Sequence, residues 1–386
     1  MRILLAHNYY KLAGGEDRVV AAEKKMFESR GHEVITYFKS NDEIDSYSFK
    51  KKAQLISNTT YSKQAYKEVA RILIDTKPDI CHVHNFLPLI SPAIFDACKN
   101  NNVPVVHTLH NYRLMCTNGL LFRDGRVCEE CISNSAYHAI LKKCYRNSHV
   151  QTYSVARMLE KNKDIWQNKI DAFFCLTQFA KEKFIQHGLP KDKIIVKPNF
   201  IKPKELDSIS ENNLLKKEYL IYVGRLEQNK GVNILYDLSQ SLNKDIYIVG
   251  EGPLEKKLQN VKNITLLGKK NRAQTLKLIQ QAKALILPSI SYEGGLPLTA
   301  LEAFACKTVV IATNIGSMKS MIKNAELGLL FESKSINSLK TSINFLDNHP
   351  IKVEKIKQNA FHYLKTTFTE DHTYNILYQT YKKLME

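Results

Sequence analysis

No apolar run in this chain approaches the roughly 20 residues that a helix needs to span a bilayer, so no membrane-spanning segment is expected. The opening Met1-Arg2-Ile3-Leu4-Leu5-Ala6 meets His7-Asn8 before a signal-peptide core can form. It reads as a first buried strand, and the chain is expected to stay cytoplasmic. No G-x-G-x-x-G follows the first strand of either half, which removes the phosphate turn of a dinucleotide dehydrogenase. Internal repeats of solenoid period and low-complexity tracts are absent too. Acidic residues are in short supply: 38 Asp+Glu stand against 56 Lys+Arg, for a net charge of +18. That excess favours anionic partners, whether nucleic acid, acidic lipid or phosphorylated ligands, without choosing among them. Eight cysteines without an export signal argue against a disulfide framework.

What is present is an α/β pattern. The 386 residues suit two domains, and 44% apolar residues can fill two cores. Short apolar runs alternate with helix-length amphipathic segments, as in a parallel sheet. Strands are expected at Ile3–Ala6, Val34–Phe38, Ile80–Val83, Val103–Thr108, Ala172–Leu176 and Ile194–Lys197. In the second half they are expected at Tyr219–Val223, Ile246–Val249, Ile264–Leu267, Ala284–Leu287, Val309–Ala312 and Gly328–Phe331. First-half helices fit at 15–30, 60–76, 90–99, 151–163 and 178–187. Pro198 to Pro203 and the polar stretch to Lys217 carry neither period and form the best linker. The expected organisation is two Rossmann-like, doubly wound domains, 1–200 and 201–366, facing a central cleft. Residues 111–150 form a cysteine-rich insertion, and a final helix at 367–386 crosses back to the first domain.

The second half places charge and glycine after successive strands. Tyr219 to Gly231 reads YLIYVGRLEQNKG: a strand, the Gly224 turn, Arg225, then Lys230 before a helix. An Arg and a Lys at a strand's carboxyl end suit a diphosphate. Gly250-Glu251-Gly252-Pro253 is a tight turn that a flat base could approach. Ser291 to Ala305 reads SYEGGLPLTALEAFA, with Glu293, Gly294, Gly295 and Leu296 in a loop and Glu302 on the following helix. Singly these are ordinary loop charges and surface glutamates; their order along one sheet rim is what points to a site.

In the first half, Gly14-Gly15-Glu16 follows the first strand and opens a helix, where backbone N–H groups and the dipole favour an anion. His110-Asn111 and His84-Asn85 end two further strands at the same rim. Cys116, Cys128, Cys131 and Cys144 lie within 29 residues, with Cys-x₂-Cys at the centre. That spacing is compatible with a closed structural zinc site, with reduced unpaired thiols or with disulfides. The remaining four cysteines fall on strands or helices and read as core. Lys50, Lys51, Lys52, Lys63, Lys67 and Arg71 precede or lie on the helix expected from residue 60, and Lys142, Lys143 and Arg146 flank the last insertion cysteine. A solvated face or an anionic lipid surface fits these clusters. Nucleic acid does not, because the basic residues are not interleaved with aromatics.

The motif set GR, KG, GEGP, PS and EGG…E resembles the retaining GT-B glycosyltransferases of family 4, which build bacterial polysaccharides and glycolipids. The run HNYRLMCTNGLLFRDG resembles a subgroup of polysaccharide-building members. The resemblance covers nearly the whole chain. It implies transfer of a hexose from a nucleoside diphosphate sugar, with UDP favoured, to a glycan or lipid-linked acceptor at the inner membrane face. It further implies no catalytic cofactor or metal, in keeping with the lack of an Asp-x-Asp pair in a suitable loop. By resemblance Arg225 and Lys230 hold the diphosphate, Glu302 the ribose hydroxyls and Glu293 the transferred sugar. Backbone around Gly294, Gly295 and Leu296 meets sugar or phosphate, the Gly250–Pro253 turn lies near the base, and Gly14-Gly15 borders phosphate and acceptor. His110 contacts the donor sugar, and His84-Asn85 is a candidate for acceptor binding. This chain departs from the family in having eight residues between its two glutamates, where seven are usual. Lys307 and Val309 also replace a usual Gly and Pro. The alternatives are a non-catalytic nucleotide-sugar-binding subunit or a GT-B epimerase.

Overall fold

The computed structural model describes residues 1–11, 14–201, 215–295 and 297–386, which form two compact units. The first comprises Met1–Leu121, Cys128–Lys197 and Thr373–Glu386; the second comprises Phe122–Val127 and Pro198–His372. Most of the expected linker, 202–214, lies outside the described residues.

Four strands open the chain: β1 (Arg2–Tyr9), β2 (Glu33–Ser40), β3 (Ile80–Asn85) and β4 (Val105–Leu109). A two-stranded antiparallel hairpin follows, β5 (Phe122–Arg123) and β6 (Arg126–Val127), turned by Asp124 and Gly125 at positive φ. An Asp-Gly pair takes up such a turn readily. With β7 (Ala172–Cys175) and β8 (Ile194–Val196), the first unit's parallel sheet has the order β2-β1-β3-β4-β7-β8. Chain direction across the sheet reverses between β1 and β3, the place where such sheets leave room for ligands beyond the carboxyl ends of their strands.

The second sheet is built from β9 (Leu220–Val223), β10 (Ile246–Val249), β11 (Ile264–Gly268), β12 (Ala284–Leu287), β13 (Val309–Thr313) and β14 (Leu329–Phe331). Its order, β11-β10-β9-β12-β13-β14, reverses between β9 and β12. All strand pairs in both six-stranded sheets are parallel. Buried apolar side chains cover both faces. One cluster joins Ile221, Leu285 and Val310 to the helix Leu298–Ala305; the other joins Leu220, Ile286 and Ile311 to Leu235 and Leu339. A strand with helices on both sides has no polar face to show, hence the near-continuous apolar runs.

All twelve expected strands are present, with ends moved by a few residues. The helix expected at 60–76 begins at Lys63, because the Ser62 hydroxyl caps it by accepting from the Ala65 N–H at 3.1 Å. Lys50–Lys52 occupy a separate helix, Phe49–Thr60, which packs on His149–Lys161. Its apolar period is too weak to read, since its buried positions are Thr59 and Thr60. No helix among the described residues is long and apolar enough to cross a membrane.

Candidate functional site

In the second unit, β10, β9 and β12 are neighbours, so the loops after them share one rim. After β9 the chain turns through Gly224, exposes Arg225 and forms a single 3₁₀ turn, Gln228–Lys230. The Arg225 guanidinium meets Glu227 at 3.0 Å, and its carbonyl accepts the Tyr222 hydroxyl at 2.7 Å. After β10, Gly250 (φ +134°) runs against β9: a Cβ there would lie 2.0 Å from the Gly224 carbonyl oxygen. The Gly250–Pro253 turn is stitched to the β9 loop by Leu226 N–H to Glu251 O (2.9 Å) and Leu254 N–H to Leu226 O (3.0 Å).

After β12, Ser289 leads to Glu293. Lys230 Nζ donates to both Glu293 carboxylate oxygens, at 2.7 and 2.9 Å, and Ser289 Oγ donates to Oε1 at 2.6 Å. Burial works to raise the Glu293 carboxyl, but the Lys230 charge and these hydrogen bonds outweigh it and hold the group below its usual range. The pair straddles the reversal between β9 and β12. Glu302, 2% exposed on the helix Leu298–Ala305, receives a 2.7 Å bond from Arg272 Nη1. Arg272 opens the helix after β11, behind an Asn271 capping box. Sequence reasoning missed it; the signal available was the basic run Lys269-Lys270-Asn271-Arg272 at a third strand's carboxyl end. Gly294 and Gly295 lie in the loop between Glu293 and that helix, while Leu296 lies outside the described residues.

In the first unit, Gly14 precedes the helix Gly15–Ser29, and neither glycine is crowded or held at positive φ. The Gly14 N–H donates to Asp17 Oδ2 at 2.8 Å, and Asp17 Oδ1 lies 2.8 Å from His7 Nε2. One of the N–H groups expected to receive an anion is thus already bonded to the helix's own acid. His84 is the penultimate residue of β3 and His110 follows β4. Their Nδ1 and Nε2 are 2.8 Å apart and the rings stack at 5.1 Å.

A small cavity of about 20 Å³ is lined by Tyr10, Glu16, His84, His110, Asn111 and Arg113. Glu16 Oε1 is enclosed there without a hydrogen-bond partner. Burial first, then the Asp17 charge, pushes the Glu16 carboxyl up to about 8, with Arg113 opposing. The folded protein therefore holds the proton longer than the unfolded chain. The Glu16 contribution to stability should be full below pH 4.5, fall as pH rises to about 8, and be lost above that. Glu16→Gln should remove this slope, gaining on the order of 2 kcal/mol relative to wild type at pH 8.5 but little at pH 4.5. Urea unfolding at the two pH values measures it; parallel pH dependences would refute a protonated Glu16.

The expectation of zinc at Cys116, Cys128, Cys131 and Cys144 is not supported. The neighbouring thiols do act on Cys131, which burial first and their charges next push up to about 12. Among the described residues, however, the groups of three or more possible ligands within 4.8 Å are Glu23/His82/His84 and His7/Glu16/Asp17, neither with a cysteine. Cys116 Sγ instead donates to Asn118 Oδ1 at 3.0 Å, and none of the eight cysteines is disulfide-bonded, so the disulfide alternative is not realised. The insertion is held by a small core including Tyr112, Cys131, Ile132 and Ala139, and by the Tyr112 N–H bond to Gly119 O at 3.0 Å.

Two doubly wound units, the second with cations and buried glutamates gathered at one rim, constitute the GT-B glycosyltransferase architecture. Sucrose-phosphate synthase from Thermosynechococcus elongatus has this fold, with TM-score 0.72 at 16% identity over 99% of this chain and 98% of that one. So has Anabaena HepE in its complex with UDP-glucose, with TM-score 0.67 at 15% identity over 99% and 100%. An uncharacterized glycosyltransferase of Methanocaldococcus jannaschii is 24% identical over 95% of this chain and 93% of its own. D-rhamnosyltransferase WbpZ of Pseudomonas aeruginosa is 26% identical over 49% and 50%. Residues 13–205 match the model described as Glycosyltransferase Family 4, and 204–363 match that of Glycosyl transferases group 1. The chain belongs to glycosyltransferase family 4.

Proposed function

We propose that the chain moves a hexose from a nucleoside diphosphate sugar, with UDP the favoured nucleotide, to a glycan or lipid-linked acceptor of a cell-surface polysaccharide. The observation that carries this reading is the convergence of Arg225, Lys230, Glu293 and Glu302 on the rim of one sheet. The names of similar proteins support the setting: D-rhamnosyltransferase WbpZ, the O-antigen chain mannosyltransferase C of Escherichia coli, and HepE, whose structure holds UDP-glucose. Breaking a sugar–diphosphate bond places charge on the leaving phosphate, which Arg225 and Lys230 stabilise by preorganised positive charge. Glu293 keeps Lys230 oriented until the diphosphate arrives, and then faces the sugar. Glu302, held by Arg272, accepts from the ribose hydroxyls. His110 and the Gly14-Gly15 turn act on the same reaction from the first unit. Transfer proceeds with retention and without a metal, the leaving phosphate oxygen taking the acceptor's proton.

A nucleotide-sugar panel tests the reading by thermal unfolding, because a ligand that binds only the folded state raises the midpoint. A UDP-hexose at millimolar concentration should raise it by several degrees, and EDTA should leave its turnover unchanged. A panel in which no nucleotide sugar moves the midpoint would sink the proposal.

The reading extends to an anionic membrane surface. Phe49 (90% exposed), Leu141 (79%) and Val150 (56%) project from three helices that pack together, beside Lys50–Lys52, Lys142, Lys143 and Arg146. Apolar tips among cations suit insertion between anionic headgroups. Flotation with vesicles containing phosphatidylserine should recover the protein, and Phe49→Ser/Leu141→Ser should reduce the bound fraction about tenfold. Equal recovery on purely zwitterionic vesicles would count against it.

A further inference from the structure

A charged pair is sealed inside the first unit. Glu23 lies on the apolar stripe of the helix Gly15–Ser29, with Val19, Val20, Met26 and Phe27, and is 0% exposed. Its partner is Lys197, just beyond β8 and also 0% exposed, which binds Glu23 Oε1. Buried ions are retained only with close partners. Lys197 answers for one carboxylate oxygen and leaves Oε2 to face two histidines.

These are His82 and His84, two apart on β3 and so on the same face, with rings 4.2 Å apart. Burial first, with nearby positive groups adding to it, holds both well below the usual imidazole range, so each carries one N–H and one bare nitrogen. Both His82 nitrogens are engaged: Nε2 with Thr108 Oγ1 at 2.7 Å and Nδ1 with the Tyr381 hydroxyl at 2.6 Å. Tyr381 comes from the last helix, Glu370–Met385. His84 Nε2 lies 3.4 Å from Glu23 Oε2, and His84 Nδ1 lies 2.8 Å from His110 Nε2. Glu23, His82 and His84 could in principle hold a cation. Yet Lys197 already neutralises the carboxylate, and Tyr381 occupies His82 Nδ1.

Only two proton arrangements fit the His84–His110 contact. If His84 carries its proton on Nδ1, it donates to His110, and the bare His84 Nε2 faces the carboxylate, lone pair against lone pair in a dry interior. If the proton is on Nε2, it lies on the side of Glu23 Oε2, 3.4 Å away and short of a formed hydrogen bond, Nδ1 accepts, and His110 must donate from its own Nε2. The second arrangement replaces a repulsion with an electrostatic attraction across 3.4 Å, strengthened by the low local dielectric.

We propose that Glu23 acts through His84 to commit the His110 proton to Nε2, leaving Nδ1 as a hydrogen-bond acceptor. Glu23 is thus a positioning residue, and Lys197 is its counter-cation. His110 lines the cavity of the first unit, and an acceptor nitrogen there selects a ligand hydroxyl over a carbonyl or phosphate oxygen. That the hydroxyl belongs to the donor sugar rests on the function proposed above; the tautomer does not.

The test uses the full chain, ¹⁵N-labelled at histidine and free of any nucleotide, with long-range ¹H–¹⁵N correlations assigned through His110→Gln. Wild type should show His110 protonated at Nε2 in at least tenfold excess. Glu23→Gln/Lys197→Met removes the carboxylate and its counter-cation together, so that no unpaired charge stays buried. It should cut that excess at least tenfold while far-UV dichroism is unchanged. His110 protonated at Nδ1 in wild type would overturn the proposal, as would an unaltered tautomer in the folded double variant. If the double variant does not fold, the wild-type spectrum decides alone, through the His84 Nε2–H and His110 Nε2–H signatures together. Failure of the nucleotide-sugar panel would remove the donor sugar as the ligand and leave the tautomer result standing.

Discussion

Replacing Lys230 by alanine is expected to lower kcat/KM for the nucleotide sugar by about 10²–10³-fold, the cost of removing one preorganised group at developing charge. Two structural features place the effect here. Lys230 closes a turn fixed to the rim by Ile290 N–H to Asn229 O at 2.9 Å, and its ammonium is held by both oxygens of Glu293. In the variant the Glu293 carboxylate loses its main stabilising charge and its pKa should rise, because burial then acts without the Lys230 charge to oppose it. The added Glu293→Gln change separates the causes. If the single variant fails merely because a carboxylate is left uncompensated, Lys230→Ala/Glu293→Gln should recover most of the activity. If the missing charge matters to the phosphate, the double variant should stay within a few-fold of the single one. Steady-state nucleotide release decides, and a single variant within threefold of wild type would remove Lys230 from the mechanism.

Gly231→Ala should lower stability by about 3 kcal/mol or more, a large effect for one methyl group. The residue sits at φ +68°, a left-handed conformation that favours glycine, and an added Cβ would lie 1.8 Å from the Pro288 carbonyl oxygen. That carbonyl belongs to the backbone after β12 and has little freedom to retreat. Relief would separate the Lys230 turn from the Ser289–Glu293 loop, so donor affinity should fall with stability. Gly14→Ala is the control: no atom lies within 4 Å of its added Cβ and its φ is −120°, so a change below about 0.5 kcal/mol is expected. Urea unfolding of both variants measures the contrast, and equal effects would contradict the geometry at Gly231.

Much of this molecule is legible in one dimension. The twelve strands follow from apolar runs of four to six residues, since a strand covered on both faces must be largely apolar. The order GR, KG, GEGP, PS and EGG…E could be assigned to a single rim because the loops after parallel strands of one sheet all emerge at its carboxyl edge. The cysteine spacing misled, because a C-x₂-C pair shows that thiols are near in sequence but not that four sulfurs converge. Arg272 and Glu23 went unread for another reason. Arg272 resembles any solvated helix-start cation until Glu302 is seen 2.7 Å away. Glu23 resembles a surface acid until the sheet brings Lys197, 174 residues distant in sequence, against it.

The sequence by itself determined the strand-and-helix alternation, the family and the residue types offered at each strand end, because these depend on local periodicity and short spacings. Only the tertiary structure decided which charges pair: Lys230 with Glu293, Arg272 with Glu302, Glu23 with Lys197 and, beside it, His84. Pairing depends on strand order, here β11-β10-β9-β12-β13-β14 and β2-β1-β3-β4-β7-β8. That order arises from crossover connections that bring distant segments side by side, which no local pattern records.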